Sequence, residues 1–271
     1  MTYHFNRKFL IILFLVLLYL PGMLLADIAI LVHGYHTGGK TWRASGITQV
    51  LASKGWYDIS FSGITPENNG KYIVAVELPA KAPIEVQANY LSQYIAEISQ
   101  KNPQHKLHLI AHSAGGLVAR LALINNYASV INGNSNEFIP IVQLITIASP
   151  HLGSPIAEML YSAAADTPIG FFAPFIGLDE INDAEVLYKQ LSREHKNNFL
   201  YWLNRQPHPP IKYISIVRTD GSLLSGDIYV PPHSQNMAFI PAVNQHSQVV
   251  LTPGDHALKF NDGIIISHLL P

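Results

Sequence analysis

The chain has 271 residues, 48% of them apolar, and no cysteine, which excludes disulfides, thiolate zinc sites and a lipid-modified N-terminal cysteine. Its 17 basic residues include Arg7 and Lys8 of an apolar leader, leaving 15 against 18 acidic ones, a net charge of −3 beyond the leader. A weakly acidic domain without basic runs argues against nucleic acid as a partner, and this length suits one domain with a large buried core.

Arg7 and Lys8 precede an unbroken apolar run from Phe9 to Leu20, which Pro21 and Gly22 end. With Ala26 as a small residue before Asp27, residues 1–26 read as a secretory signal peptide, the run being short for a membrane span. The expectation is export to the periplasm or the medium after cleavage near Ala26, with an uncleaved N-terminal anchor as the alternative. The domain proper is then 27–271.

Ile28–His33 is a continuous apolar run of the kind buried on both faces of a parallel sheet. The next eight residues, GYHTGGKT (34–41), satisfy the spacing of a nucleotide phosphate loop. Thr41–Lys54 reads as a helix weakened by Gly46, Lys71–Leu78 as a strand, and Ile84–Gln100 as an amphipathic helix burying Val86, Tyr90, Leu91, Tyr94, Ile95 and Ile98. Strands follow at Lys106–His112, Pro140–Ala148 and Ile211–Val217, with helices at Ala114–Asn126 and His256–Leu270. This alternation predicts an α/β fold, a mainly parallel central sheet with helices on both faces. Residues 153–206, with Phe171, Phe172 and Phe175 beside Gly170 and Pro174, are too long for a simple connection. They read as an inserted cap or lid, ordinary core helices being the alternative.

Chemistry concentrates at Leu109–Gly116, where an apolar strand runs through Ala111-His112-Ser113-Ala114-Gly115 into an apolar helix. This is a nucleophile elbow: the sharp turn demands small residues two before and two after Ser113 and lifts its hydroxyl above the sheet at a helix N-terminus. A serine hydroxyl is a weak nucleophile, so a base and an orienting acid must follow. His256 opens the last element and is the favoured base over His233, His246 and His268. Asp227, 29 residues before it, is the favoured acid, with Asp220 as the alternative; Asp255 is too close to His256 to reach its far nitrogen. The backbone N–H of Ala114 supplies one oxyanion donor, and a second is needed from a loop after an early strand.

Val32-His33-Gly34-Tyr35 with Gly38-Gly39 resembles the His-Gly oxyanion loop of lipases. Ala111–Gly116 resembles their elbow, Ser149-Pro150-His151-Leu152-Gly153-Ser154 their Pro-His-x-Gly-Ser segment, Gly226–Pro231 with Ser234-Gln235 their acid loop, and Asp255-His256 their histidine loop. Together, in order, these motifs make residues 28–271 similar to secreted bacterial triacylglycerol lipases and esterases of the α/β-hydrolase superfamily. The resemblance implies Ser113 as nucleophile, Asp227 as acid, His256 as base and the N–H groups of Tyr35 and Ala114 as oxyanion hole, with His151 structural. Some such lipases hold a structural calcium, whose ligands find no specific match here.

The phosphate-loop reading of GYHTGGKT needs a metal-holding acid at the end of another buried strand, and only Glu77 is a candidate. The same backbone donors serve an oxyanion, with Lys40 and Thr41 starting a helix. The expected function is a cofactor-independent and metal-free serine ester hydrolase acting on ester or lipid substrates, in solution or at a lipid interface. Thioester, amide or polyester cleavage, or acyl transfer, would use the same triad. A non-catalytic binding module is the remote alternative.

Overall fold

Alternate residues of the central strands face two separate apolar cores. In the computed structural model, which describes residues 27–60, 70–133, 140–166, 184–219 and 226–271, one seven-stranded sheet has the order β2-β3-β1-β4-β5-β6-β7. Its strands are β1 (Asp27–Val32), β2 (Trp56–Asp58), β3 (Lys71–Ala75), β4 (Lys106–His112), β5 (Ile141–Ile147), β6 (Lys212–Arg218) and β7 (Ser247–Thr252). Every neighbouring pair is parallel. The helices are α1 (Lys40–Ala44), α2 (Ile47–Ser53), α3 (Ile84–Lys101), α4 (Gly115–Ile131), α5 (Pro155–Asp166), α6 (Glu185–Leu191), α7 (Phe199–Leu203), α8 (Pro232–Gln235) and α9 (Phe260–Leu269).

Ile28, Ile30 and Val32 of β1 join Leu107 and Leu109 of β4 in a core covered by α3–α7. Ala29 and Leu31 join Ile110, Ile145 and Ile147 in a second core under α1, α2 and α9. The period of two along a strand sends successive side chains to opposite faces, so strands enclosed on both sides must be apolar throughout. Each buried Leu or Ile contributes roughly 1.5–3 kcal/mol over its exposed state, which makes the sheet a stiff platform for the loops at its ends.

Local structure departs from the sequence expectations at several points. The helix expected over Thr41–Lys54 is two helices, because Gly46 turns left-handed (φ +80°) between α1 and α2. β3 ends at Ala75, not Leu78; beyond it Val76 N–H still bonds Leu31 O, while Leu78 N–H turns to the His33 side chain. The closing helix starts at Phe260 rather than His256, since the Asp262 carboxylate accepts the Lys259 N–H at 2.7 Å and caps the helix there, and His256 stays in a loop. On α3 the buried stripe is Ile84, Ala88, Leu91 and Ile95, whereas Val86 and Tyr90 face outward. The edge strands β2 and β7 were not expected: one is three residues long, the other exposes Val249 and Leu251.

Helices α5–α7, within residues 153–206, bury Leu160, Leu187, Tyr188, Leu200 and Leu203 in the same core as α3 and α4. Phe171, Phe172 and Phe175, like the leader 1–26, lie outside the described residues. Among the described residues no helix is long and apolar enough to cross a membrane.

The strand order places β1 against β4, with β2 and β3 added on one side and β5–β7 on the other. Such a reversal leaves a crevice at the carboxyl ends of the two strands, where ligands bind in open α/β sheets. Val32 pairs in register with Ala111, so the loops after β1 and β4 leave the sheet side by side.

Candidate active site

Ser113 closes β4 and opens α4 with φ +53°, the left-handed region that an L residue adopts only at a cost of order 1 kcal/mol or more. The surroundings impose it. A Cβ on Gly115 would lie 2.4 Å from the carbonyl oxygen of His33, and one on Gly116 would lie 2.3 Å from Ser149 Oγ. Larger residues there would push the elbow off the β1 loop and off β5.

The Ser113 hydroxyl donates to His256 Nε2 at 2.8 Å, and His256 Nδ1–H donates to Asp227 Oδ2 at 2.8 Å. The carboxylate fixes the imidazole tautomer that leaves Nε2 a free lone pair for the serine proton. Asp227 is itself buried and held: Oδ1 accepts the N–H groups of Tyr229 and Val230, at 3.0 and 2.9 Å, and Oδ2 also accepts Gln235 Nε2 at 3.1 Å. Gln235 ties that carboxylate to the sheet, because its Oε1 accepts the Arg218 N–H at the end of β6. The structure thus brings Ser113, His256 and Asp227 together. Asp220 lies outside the described residues, and Asp255 points instead to Lys259 at the surface. His233, His246 and His268 are exposed.

The loop after β1 lies directly over Ser113. A Cβ on Gly34 would approach Ser113 Cβ to 2.7 Å and Ser113 Oγ to 3.3 Å. His33 is buried with Nε2 accepting the Leu78 N–H at 2.9 Å, so its proton sits on Nδ1, which donates to Gly34 O at 3.0 Å. The Thr37 hydroxyl donates to the same oxygen at 3.0 Å. In a trans peptide the C=O and the following N–H point opposite ways, so holding Gly34 O aims the Tyr35 N–H. Among the described residues neither the Tyr35 N–H nor the Ala114 N–H has a hydrogen-bond partner. Two free amides flanking an activated hydroxyl can receive an oxyanion.

The second half of GYHTGGKT is already occupied by the protein's own anion. Glu77 Oε1 accepts the Gly39 N–H at 3.1 Å, and a Cβ on Gly38 would meet Glu77 Oε2 at 2.8 Å. A phosphate in this cradle would face a carboxylate, and Lys40 begins α1.

Of two further supports of the site, Arg218 carries no sequence signal beyond its position, whereas His151 lies in the Ser149–Ser154 motif. Arg218 forms a buried two-point ion pair with Asp262, at 2.7 and 2.8 Å, and donates to Ala257 O at 3.0 Å, next to His256. His151 is structural: its N–H bonds Ser234 O, its Nε2–H donates to Thr146 Oγ1 at 3.0 Å, and its Nδ1 faces the buried guanidinium of Arg120 at 3.5 Å. Among the described residues no group of three His, Asp or Glu side chains could hold a metal ion.

Triacylglycerol lipase 2 of Saccharomyces cerevisiae is 32% identical to this chain over 96 residues, 34% of this chain and 27% of the yeast protein, so the likeness spans about a quarter of that relative. The mature form of lipase BlEst2 from Bacillus licheniformis superposes with a TM-score of 0.59 at 16% identity, over 90% of this chain and 91% of the other. Phospholipase PlaB of Legionella pneumophila superposes with a TM-score of 0.50 at 18% identity, over 78% of this chain and 46% of the other. At these identities the structural likeness is one of fold, and the fold is that of the α/β-hydrolases. The family described as "Putative serine esterase (DUF676)" matches residues 27–163, just over half of the chain. With the first five strands, the elbow at Ser113 and the loop after β1 inside that stretch, the chain belongs to this family.

Proposed function

We propose that this chain hydrolyses carboxylic esters through an acyl intermediate on Ser113. The observation that carries the reading is the continuous hydrogen-bond chain from Ser113 through His256 to Asp227, beside two unpaired amides. Ser113 Oγ attacks the ester carbonyl carbon while its proton passes to His256 Nε2. The carbonyl oxygen gains the negative charge and is received by the N–H groups of Tyr35 and Ala114. Collapse of the adduct breaks the bond to the leaving oxygen, which takes the proton from His256 and departs as the alcohol. Water then gives a proton to His256 while its oxygen attacks the acyl carbon, and Ser113 regains its proton as the acid leaves. Asp227 holds the imidazole orientation and stabilises its charged form. Ester, water and these side chains account for every proton and electron pair.

The substrates proposed are lipid-like acyl esters. The yeast relative's name supports this, as does the apolar rim at the site: exposed Ile228 and Tyr229 stand on the acid loop, the Tyr229 ring 5.3 Å from that of His256. Export is proposed from the leader sequence. Hydrolysis of p-nitrophenyl butyrate and palmitate, with Ser113→Ala alongside, tests the reading. Turnover that Ser113→Ala abolishes at unchanged melting temperature is the expected result, with palmitate preferred; turnover retained in that variant would sink the assignment.

A further inference from the structure

We infer that Tyr188, on helix α6 within residues 153–206, is a positioning residue for the oxyanion donor at Tyr35. The inference rests on the ester-hydrolase reading above. The hydroxyls of Tyr35 and Tyr188 lie 2.7 Å apart, and their rings meet edge-on with centroids 5.4 Å apart. Tyr188 is buried, so its hydroxyl draws on a protein partner, and Tyr35 provides one across 153 residues of sequence.

The Tyr35 amide needs two anchors. His33 and Thr37 hold the peptide from its carbonyl side, at Gly34 O. On the other side His36 follows at φ +54°, a strained backbone that persists only where neighbouring contacts over-determine it. The Tyr35 side chain is the tether on that side. Its far end reaches a fixed point, because α6 buries Leu187 and Leu191, and Gln190 Oε1 accepts the Ile84 N–H at the start of α3, at 2.8 Å. Helix α6 thereby reaches into the geometry of the oxyanion hole without touching the reacting atoms. An amide aimed at a developing charge affects the transition state more than the bound ester, so the signature is in kcat and not in KM.

Tyr188→Phe removes the hydroxyl and keeps the ring. The expected result is a fall in kcat on p-nitrophenyl butyrate of about fivefold, as for one neutral hydrogen bond, with KM unchanged and the melting temperature lowered by only about 2–4 °C. Affinity for an alkyl trifluoromethyl ketone, which forms an oxyanion adduct with the serine, should fall by the same factor. Tyr35→Phe should match it, and the double variant should lose no more than either single one. Wild-type kcat and ketone affinity in Tyr188→Phe, or losses that multiply in the double variant, would overturn the inference alone. Absence of serine-dependent turnover in the wild type would instead overturn the reading beneath it.

Discussion

His112 donates its Nε2–H to the carbonyl oxygen of His256 at 2.7 Å, so the residue before Ser113 holds the backbone of the histidine that faces that serine. Burial, and then the nearness of His256, push the His112 pKa down to about 3, so it is a neutral donor throughout the working range. Serine and imidazole are therefore joined twice, once through their side chains and once through this bond.

Replacing His112 with Ala leaves the His256 carbonyl without its donor. The expected cost is about 1–3 kcal/mol of stability, with kcat reduced about tenfold at a nearly constant KM. Urea unfolding and steady-state kinetics check both. Unchanged kcat would show that the loop holds His256 without this bond.

Arg218 and Asp262 make a second clamp on the same loop, through Ala257 O. Asp262→Asn removes one charge of a buried pair and should cost about 3–5 kcal/mol. The double change Arg218→Met with Asp262→Leu should recover much of that stability in urea. It should not recover kcat, because the Ala257 carbonyl still lacks its donor. Recovery of both would show that the pair serves stability alone.

Three histidines, His112 and His151 buried and His208 half-buried, set the acid behaviour. Burial pushes the pKa of His112 and His208 down to about 3 and that of His151 well below its ordinary value, with Arg120 adding repulsion at the last two. Unfolded, each takes up a proton near pH 6.5; folded, each does not. The unfolded state therefore binds more protons below pH 6.5, and stability falls as pH falls, by up to about 1.4 kcal/mol per pH unit for each histidine. Urea midpoints should be level above pH 7 and drop steadily from pH 6.5 toward 4.5, before most carboxylates titrate. His208→Gln should make that decline shallower.

Gly34 has no room for a side chain, since a Cβ would press on Ser113 Cβ at 2.7 Å and on His112 O at 3.1 Å. Gly34→Ala should shift the oxyanion loop away from the serine and lower kcat about a hundredfold or more, as the loss of an oxyanion donor does. The rate of Ser113 labelling by a fluorophosphonate should fall with it. Labelling at the wild-type rate would place the oxyanion elsewhere.

Some of this site could be read before any coordinates. The elbow around Ser113 is encoded within a few residues, because a left-handed turn between a buried strand and a helix admits only small neighbours, here Ala111, Gly115 and Gly116. Strand and helix periods gave the layered α/β architecture for the same reason: burial on one or two faces is written at local spacing. They failed where burial is partial, as on the short edge strand β2 and the exposed β7, and where one capping pair set a boundary, as Lys259 and Asp262 did for α9.

Local sequence therefore encodes the turn that raises Ser113 and the main run of strands and helices around it, since those follow from sterics and periodicity over short stretches. The groups that meet Ser113 are set by long-range packing. Its bond to His256 spans 143 residues and the Tyr35–Tyr188 bond spans 153, and a partner so distant is chosen by where β1, β4 and β6 end in the folded sheet. Gln235, Arg218, His112 and Tyr188 gained their roles in the same way: polar side chains buried by the fold had to find partners, and those within reach were the backbone and carboxylate of the site.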